Sequence, residues 1–184
     1  SSGKYAFVPL ANASLNALTT DGSFTYTVTA KDASGNTGLN NLTVNFTGAN
    51  DAPVITSSAA GTVAENAATS TVVYTAAATD QDTGTTLTYS LAGTDAALFN
   101  INSGTGVVTF KTAPNFESPT DAGGNNVYDI TVTASDGSLS ASQNVAITVT
   151  NVNEAPVITS AATASVAENT LTAYTPVASD PDAG

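Results

Sequence analysis

The chain has no cysteine and no histidine, no tryptophan, and only three basic residues, Lys4, Lys31 and Lys111. Without cysteine there is neither a disulfide framework nor thiolate chemistry, while the redox compartment, a secreted origin included, stays open. Without histidine, zinc centres, imidazole general bases and Ser-His-Asp triads are excluded. Fifteen Asp and Glu leave a net charge of -12, which repels nucleic acid and anionic membrane surfaces and attracts cations. No apolar run is long enough to span a bilayer, so membrane insertion is not expected. No basic-then-apolar signal segment opens the chain, and any such signal is expected to lie outside these residues.

What is present is a phrase written twice. Asp51-Ala52-Pro53-Val54-Ile55-Thr56-Ser57 returns as Glu154-Ala155-Pro156-Val157-Ile158-Thr159-Ser160, and each copy leads on to Val-Ala-Glu-Asn. Pro53 and Pro156, like Glu65 and Glu168, stand 103 positions apart, about one domain's length, which is the mark of a tandem array. The stretch from Gly22 to Asp32 resembles that from Asn125 to Asp136, and Asp180-Pro181-Asp182-Ala183-Gly184 matches Asp80-Gln81-Asp82-Thr83-Gly84. The expected organisation is residues 1–50 as the closing part of one repeat, 51–153 as a complete repeat and 154–184 as the first strands of the next.

Each repeat reads as strands. Phe24, Tyr26, Val28 and Ala30 alternate with Ser23, Thr25, Thr27 and Thr29, and Tyr128, Ile130, Val132 and Ala134 alternate with Asp129, Thr131, Thr133 and Ser135, which predicts half-buried strands. Leu42, Val44, Phe46 and Val145, Ile147, Val149 repeat the pattern at the end of each unit. Turn signals such as Asp21-Gly22, Gly104-Thr105-Gly106, Gly123-Gly124-Asn125 and Asp136-Gly137 punctuate them. Strands are expected over 54–64, 71–78, 85–91, 106–110, 127–134 and 139–150, with a short one at 97–101. No helical stripe is sustained. The fold class is all-β, a two-sheet antiparallel sandwich of immunoglobulin-like architecture, without the paired Cys and buried Trp of antibody domains. Tyr74, Tyr89 and Tyr128 are expected in or beside its core.

The acids stand beside Pro, Gly, Asn or Ala at strand ends, and several recur at equivalent points. Carboxylates, Asn amides and backbone carbonyls are the hard oxygen ligands that calcium collects. Taken singly, an Asp-x-Asp in a turn is ordinarily a solvated turn former. Asp21, Asp95, Asp121 and Asp129 read as plain surface acids.

The series Ala64-Glu65-Asn66, Ala78-Thr79-Asp80-Gln81-Asp82, Leu98-Phe99-Asn100-Ile101-Asn102 with Gly106, Asn115-Phe116-Glu117, Thr133-Ala134-Ser135-Asp136-Gly137 and Asn151-Val152-Asn153-Glu154-Ala155-Pro156 resembles the ordered motif set of a bacterial cadherin-like repeat. Residues 3–54 are similar to the closing half of a VCBS repeat, with Tyr5-Ala6-Phe7, Leu15-Asn16-Ala17-Leu18 and Thr47-Gly48-Ala49-Asn50-Asp51-Ala52-Pro53 carrying the likeness. Such repeats are typical of large RTX-type surface adhesins. The resemblance implies tandem cadherin-like sandwiches in a linear array with Ca2+ at the junctions. At the second junction it implies Glu65, Glu117, Asn151, Asn153, Glu154, Asp180 and Asp182 as ligands; at the first, Asn50, Asp51, Asp80, Asp82 and Asp136. Ser14 falls where Glu117 has its carboxylate, and the second linker is one residue shorter than the family's Asp-x-Asn-Asp-Asn-x-Pro, with Asn151 and Glu154 replacing its two Asp. Asp32 and Glu168 would serve junctions beyond this chain.

The function so implied is a calcium-stiffened, non-enzymatic extender of a long bacterial surface or secreted adhesin. Its partners would be the adjacent repeats, and a second copy meeting it head to tail through strand edges at the two ends. The alternative is a carbohydrate-binding module of a secreted polysaccharide-acting protein, which needs an exposed aromatic platform for a glycan. Enzymatic activity is the weakest reading, because no nucleophile with an activator is visible.

Overall fold

The computed structural model describes residues 22–31, 34–171 and 174–182. Lys4, the Tyr5-Ala6-Phe7 and Leu15–Leu18 motifs, Ser14, Asp21 and Asp32 lie outside the described residues, as do the side chains of Phe24, Tyr26 and Val28.

In chain order the strands are β1 Gly22–Lys31, β2 Thr37–Phe46, β3 Val54–Ile55, β4 Ala60–Ala64, β5 Val72–Thr75, β6 Ala78–Thr79, β7 Thr88–Ala92, β8 Phe99–Ile101, β9 Val107–Phe110, β10 Val127–Ser135, β11 Ser140–Thr150, β12 Val157–Ile158 and β13 Ala178–Ser179. The described residues form no α-helix, only a 3-10 turn at Ala96–Leu98. The fold is all-β. Its centre is a sandwich of a four-stranded sheet ordered β4-β11-β10-β7 and a three-stranded sheet ordered β5-β9-β8. All pairs are antiparallel except β4 with β11, which run parallel.

Period-two alternation buries one face of β10 and β11. Tyr128, Ile130, Val132, Ala134, Val145, Ile147 and Val149 are all at most 1% exposed, and each of the larger apolar side chains contributes about 1.5–3 kcal/mol of burial. Facing them, Phe99 and Phe110 lie 4.3 Å apart between ring centroids, and each meets Tyr128 edge-on, at 5.9 and 5.0 Å, a favoured aromatic geometry. Tyr74 is buried and Tyr89 half-buried against the core. The Tyr74 hydroxyl donates to Ser57 Oγ and the Ser58 carbonyl, and the Tyr89 and Tyr128 hydroxyls accept the N–H groups of Ala78 and Thr120. All three rings point inward and offer no stacking platform.

The expected strand 54–64 is two strands. The N–H groups of Thr56 and Ser57 both turn to the Ala77 carbonyl, and Ser58 Oγ takes the Ala60 N–H, so the chain steps from β3, paired with β6, to β4 in the other sheet. Expected strand 71–78 likewise divides, because the Ala76 N–H bonds the Gly106 carbonyl outside the ladder. The first residues of 85–91 lie outside any strand, β7 starting only at Thr88, and 97–101 opens with the 3-10 turn. β1 and β2 make a two-stranded hairpin in which Leu42 is exposed and Val44 and Phe46 are half-buried, a shallower burial than the pattern predicts because no second sheet covers the hairpin among the described residues.

Asp95 and Asp121 are not surface acids. They are 4% and 6% exposed. Asp95 accepts the N–H groups of Ala122 and Asp129, at 2.8 and 2.7 Å, and Asp121 those of Asn125 and Asn126. Charge-assisted bonds to backbone donors satisfy both buried carboxylates and tie the 119–126 loop to β10.

Candidate metal centre

The end of β4 delivers Glu65, which is 3% exposed. Its Oε2 accepts the Phe116 N–H at 2.8 Å and its Oε1 the Val152 N–H at 2.8 Å, so one carboxylate joins the 114–118 loop to the linker that follows β11. Those bonds, Phe116's foremost, hold the Glu65 carboxyl below its ordinary range against the opposing effect of burial. The same loop carries Glu117, whose Oε1 accepts the Asn151 side-chain amide at 3.1 Å. Crowding of its carboxyl by surrounding protein, then the charges of Glu65 and Glu154, push the Glu117 pKa up.

From the linker comes Glu154. Its Oε1 accepts the Asn66 side-chain amide at 2.5 Å, and its backbone N–H donates to Asp182 Oδ2 at 2.6 Å. The backbone N–H of Asp182 in turn bonds Asp180 Oδ1 at 3.0 Å. Glu65, Glu117, Glu154 and Asp182 each present an oxygen within 4.8 Å of those of the others. Glu154 Oε2 and Asp182 Oδ1 are buried with no hydrogen-bond partner. The sequence holds no basic residue after Lys111, whose Nζ donates to the Ala97 carbonyl.

Of the seven residues expected here, four converge. Asn151 supports Glu117, Asn153 Nδ2 turns back to the Glu154 carbonyl, and Asp180 holds Asp182 by its backbone. The residue not anticipated is Asn66, at the foot of the repeated Glu-Asn motif.

At the first junction the same bonds recur. The Asp51 N–H donates to Asp82 Oδ2 at 2.7 Å and the Asp82 N–H to Asp80 Oδ1 at 2.8 Å. Asp82 is 3% exposed, and its Oδ1, with Asp80 Oδ2, is buried without a partner. Asn50 Nδ2 donates to Asp136 Oδ2 at 2.7 Å. Asp136 also accepts the N–H groups of Leu139 and Ser138; the Leu139 bond, then Asn50, then Ser138 lower its pKa.

Each junction thus holds two carboxylates, Asp80 and Asp82 or Glu154 and Asp182, that spend one oxygen on an N–H of backbone or side-chain amide and keep the other buried and open. Buried polar atoms without partners cost free energy unless something else meets them. An oxygen-only donor set of this charge suits a hard divalent cation, and calcium's flexible geometry better than magnesium's strict octahedron.

The Cadherin domain family matches residues 59–150, half of the chain. Among solved structures, human CDH23 EC21-23 is similar with a TM-score of 0.64 at 22% identity, over 88% of this chain and 55% of that one. Human Protocadherin-24 EC1-2 gives 0.57 at 24%, over 73% and 64%. Drosophila N-cadherin EC1-4 gives 0.51 at 26%, over 76% and 36%. The chain therefore spans less than two thirds of the length of each. Comparison with curated protein sequences gave no match.

Proposed function

This chain belongs to the cadherin domain family, and on that premise we propose that it is a calcium-stiffened extender segment of a long bacterial cell-surface or secreted adhesin. Cadherin domains are extracellular, non-enzymatic modules of adhesion, and the described residues include no helix long and apolar enough to cross a membrane. The bacterial assignment rests on the VCBS-like wording of residues 3–54. Residues 1–50, 51–153 and 154–184 are read as three successive repeats, the outer two partial.

The observation that carries the reading is the convergence of Glu65, Glu117, Glu154 and Asp182, two of which keep a buried oxygen without a hydrogen-bond partner. Glu65 and Glu117 belong to the complete repeat, Glu154 to the linker and Asp182 to the next repeat. When bound, calcium would supply positive charge that offsets their mutual repulsion. Asn151, Asn153 and Asp180 would complete or brace this site. Asn50, Asp51, Asp80, Asp82 and Asp136 would form its counterpart before the complete repeat. Without metal, repulsion among like charges a few ångströms apart loosens the junction and leaves the linker able to bend; with it, oxygens from both sides of the linker share one ion and the repeats align as a rod. Extracellular calcium sites commonly bind in the ~0.1–1 mM range, so stiffening would follow export into a calcium-containing medium.

The test is calcium titration by calorimetry with parallel melting curves. At about 5 mM calcium, sites of that affinity add about 1–2 kcal/mol of stability each, a melting-temperature rise of roughly 5 °C or more for domains of this size. No binding heat and no rise overturn the reading.

A further inference from the structure

We infer that Asn66 is a positioning residue, a metal-independent latch that holds Glu154 in place across the junction. The inference rests on the calcium reading for its purpose but not for its geometry. Asn66 follows the ligand Glu65 directly and adopts a left-handed backbone, with φ of 58°. Its N–H bonds the Pro114 carbonyl, which fixes the residue against the loop that carries Glu117. From there its side-chain amide reaches Glu154 Oε1, 88 positions along the chain, at 2.5 Å.

Three consequences follow from that single bond. It spends one Glu154 oxygen on a neutral donor and leaves Oε2, which is buried and unpartnered, as the oxygen free for a cation. It fixes the linker residue whose backbone N–H holds Asp182 Oδ2, so Asn66, Glu154 and Asp182 form one chain from the complete repeat to the next. It also lends an anionic cluster a donor that carries no charge and does not compete with the metal. Presetting a ligand in this way raises affinity by reducing what must be ordered on binding.

The left-handed backbone offers a simpler reason for Asn66, since Asn tolerates that conformation better than most residues, and Asn169 repeats it with φ of 64°. Asn66→Gly separates the two, because glycine keeps the backbone and removes the amide. In the 184-residue chain with chelator, 15N relaxation of residues 157–171 should report faster independent tumbling for Asn66→Gly than for the parent. In calcium, Asn66→Gly should bind roughly five- to tenfold more weakly, the effect of losing one hydrogen bond of ordinary net strength. In a Glu154→Ala background the substitution should add nothing, because it acts through Glu154. Unchanged tumbling in chelator overturns the latch whether or not calcium binds. An equal loss of affinity in the Glu154→Ala background overturns the route through Glu154. A parent chain that binds no calcium sinks the calcium reading alone, since the chelator experiment still decides the latch.

Discussion

Glu117 and Asp129 are both exposed acids, yet they face different surroundings. The Glu117 carboxyl is crowded and lies near Glu65 and Glu154, which disfavours its charged form. Asp129 points outward from β10 with only its backbone engaged. Glu117→Ala should therefore leave the melting temperature in chelator unchanged or slightly higher, and should reduce the calcium-induced rise by about half or more, as loss of one carboxylate from a shared site implies. Asp129→Ala should alter neither. Equal losses in both variants, measured by melting with and without calcium, would mean that bulk charge and not a defined site attracts the metal. What could be read in the sequence here was the recurrence: Asp51, Asp82, Glu154 and Asp182 stand in repeated phrases, and repetition survives translation into structure. The burial of Asp95 and Asp121 depends on N–H groups of the 119–126 loop and of β10, up to 34 positions away for the Asp95–Asp129 bond. Nothing local in the sequence announces such partners. Asn66 was visible as part of a motif, but its reach to Glu154 depends on how the linker folds back.

The strands were legible wherever alternation ran for a full strand length. β10 and β11 show every inward position that Tyr128, Ile130, Val132 and Val145, Ile147, Val149 predict. The breaks between β3 and β4 and between β5 and β6 were not, because they arise where backbone donors leave one sheet for another and no Pro or Gly marks the point. Gly106 is the place where backbone geometry is most demanding. It stands just before β9 with φ of 70°, and a Cβ there would meet the Ala76 carbonyl oxygen at 2.4 Å, where the Ala76 N–H bonds the Gly106 carbonyl. Gly106→Ala should cost on the order of 3 kcal/mol, from left-handed strain and overpacking together. Gly84, with φ of 84° and no atom within 4 Å of where a Cβ would stand, should cost only the conformational part on replacement by Ala, about 1–2 kcal/mol. Urea unfolding of the two variants checks the difference. Equal costs would show that β9 does not press on Ala76 as described.

Over the full chain, the repeated phrase was the strongest signal, since it implied equivalent junctions before any strand was placed. The equivalence extends to atoms: Asp51 to Asp82 and Glu154 to Asp182 are the same backbone-to-carboxylate bond, at 2.7 and 2.6 Å, and Thr56 and Thr159 each donate to an equivalent carbonyl at 2.8 Å. What the pattern could not supply was how closely the four carboxylates approach, because that is set by the 114–118 loop and the linker together. A rod that stiffens with calcium needs both the cluster and its position between repeats. Small-angle scattering of the intact 184-residue chain, in about 5 mM calcium, well above the usual range of extracellular sites, and in chelator, reads that property. The prediction is a longer maximum dimension and a narrower distribution of shapes in calcium at unchanged molecular mass. Superimposable profiles in the two conditions would contradict it.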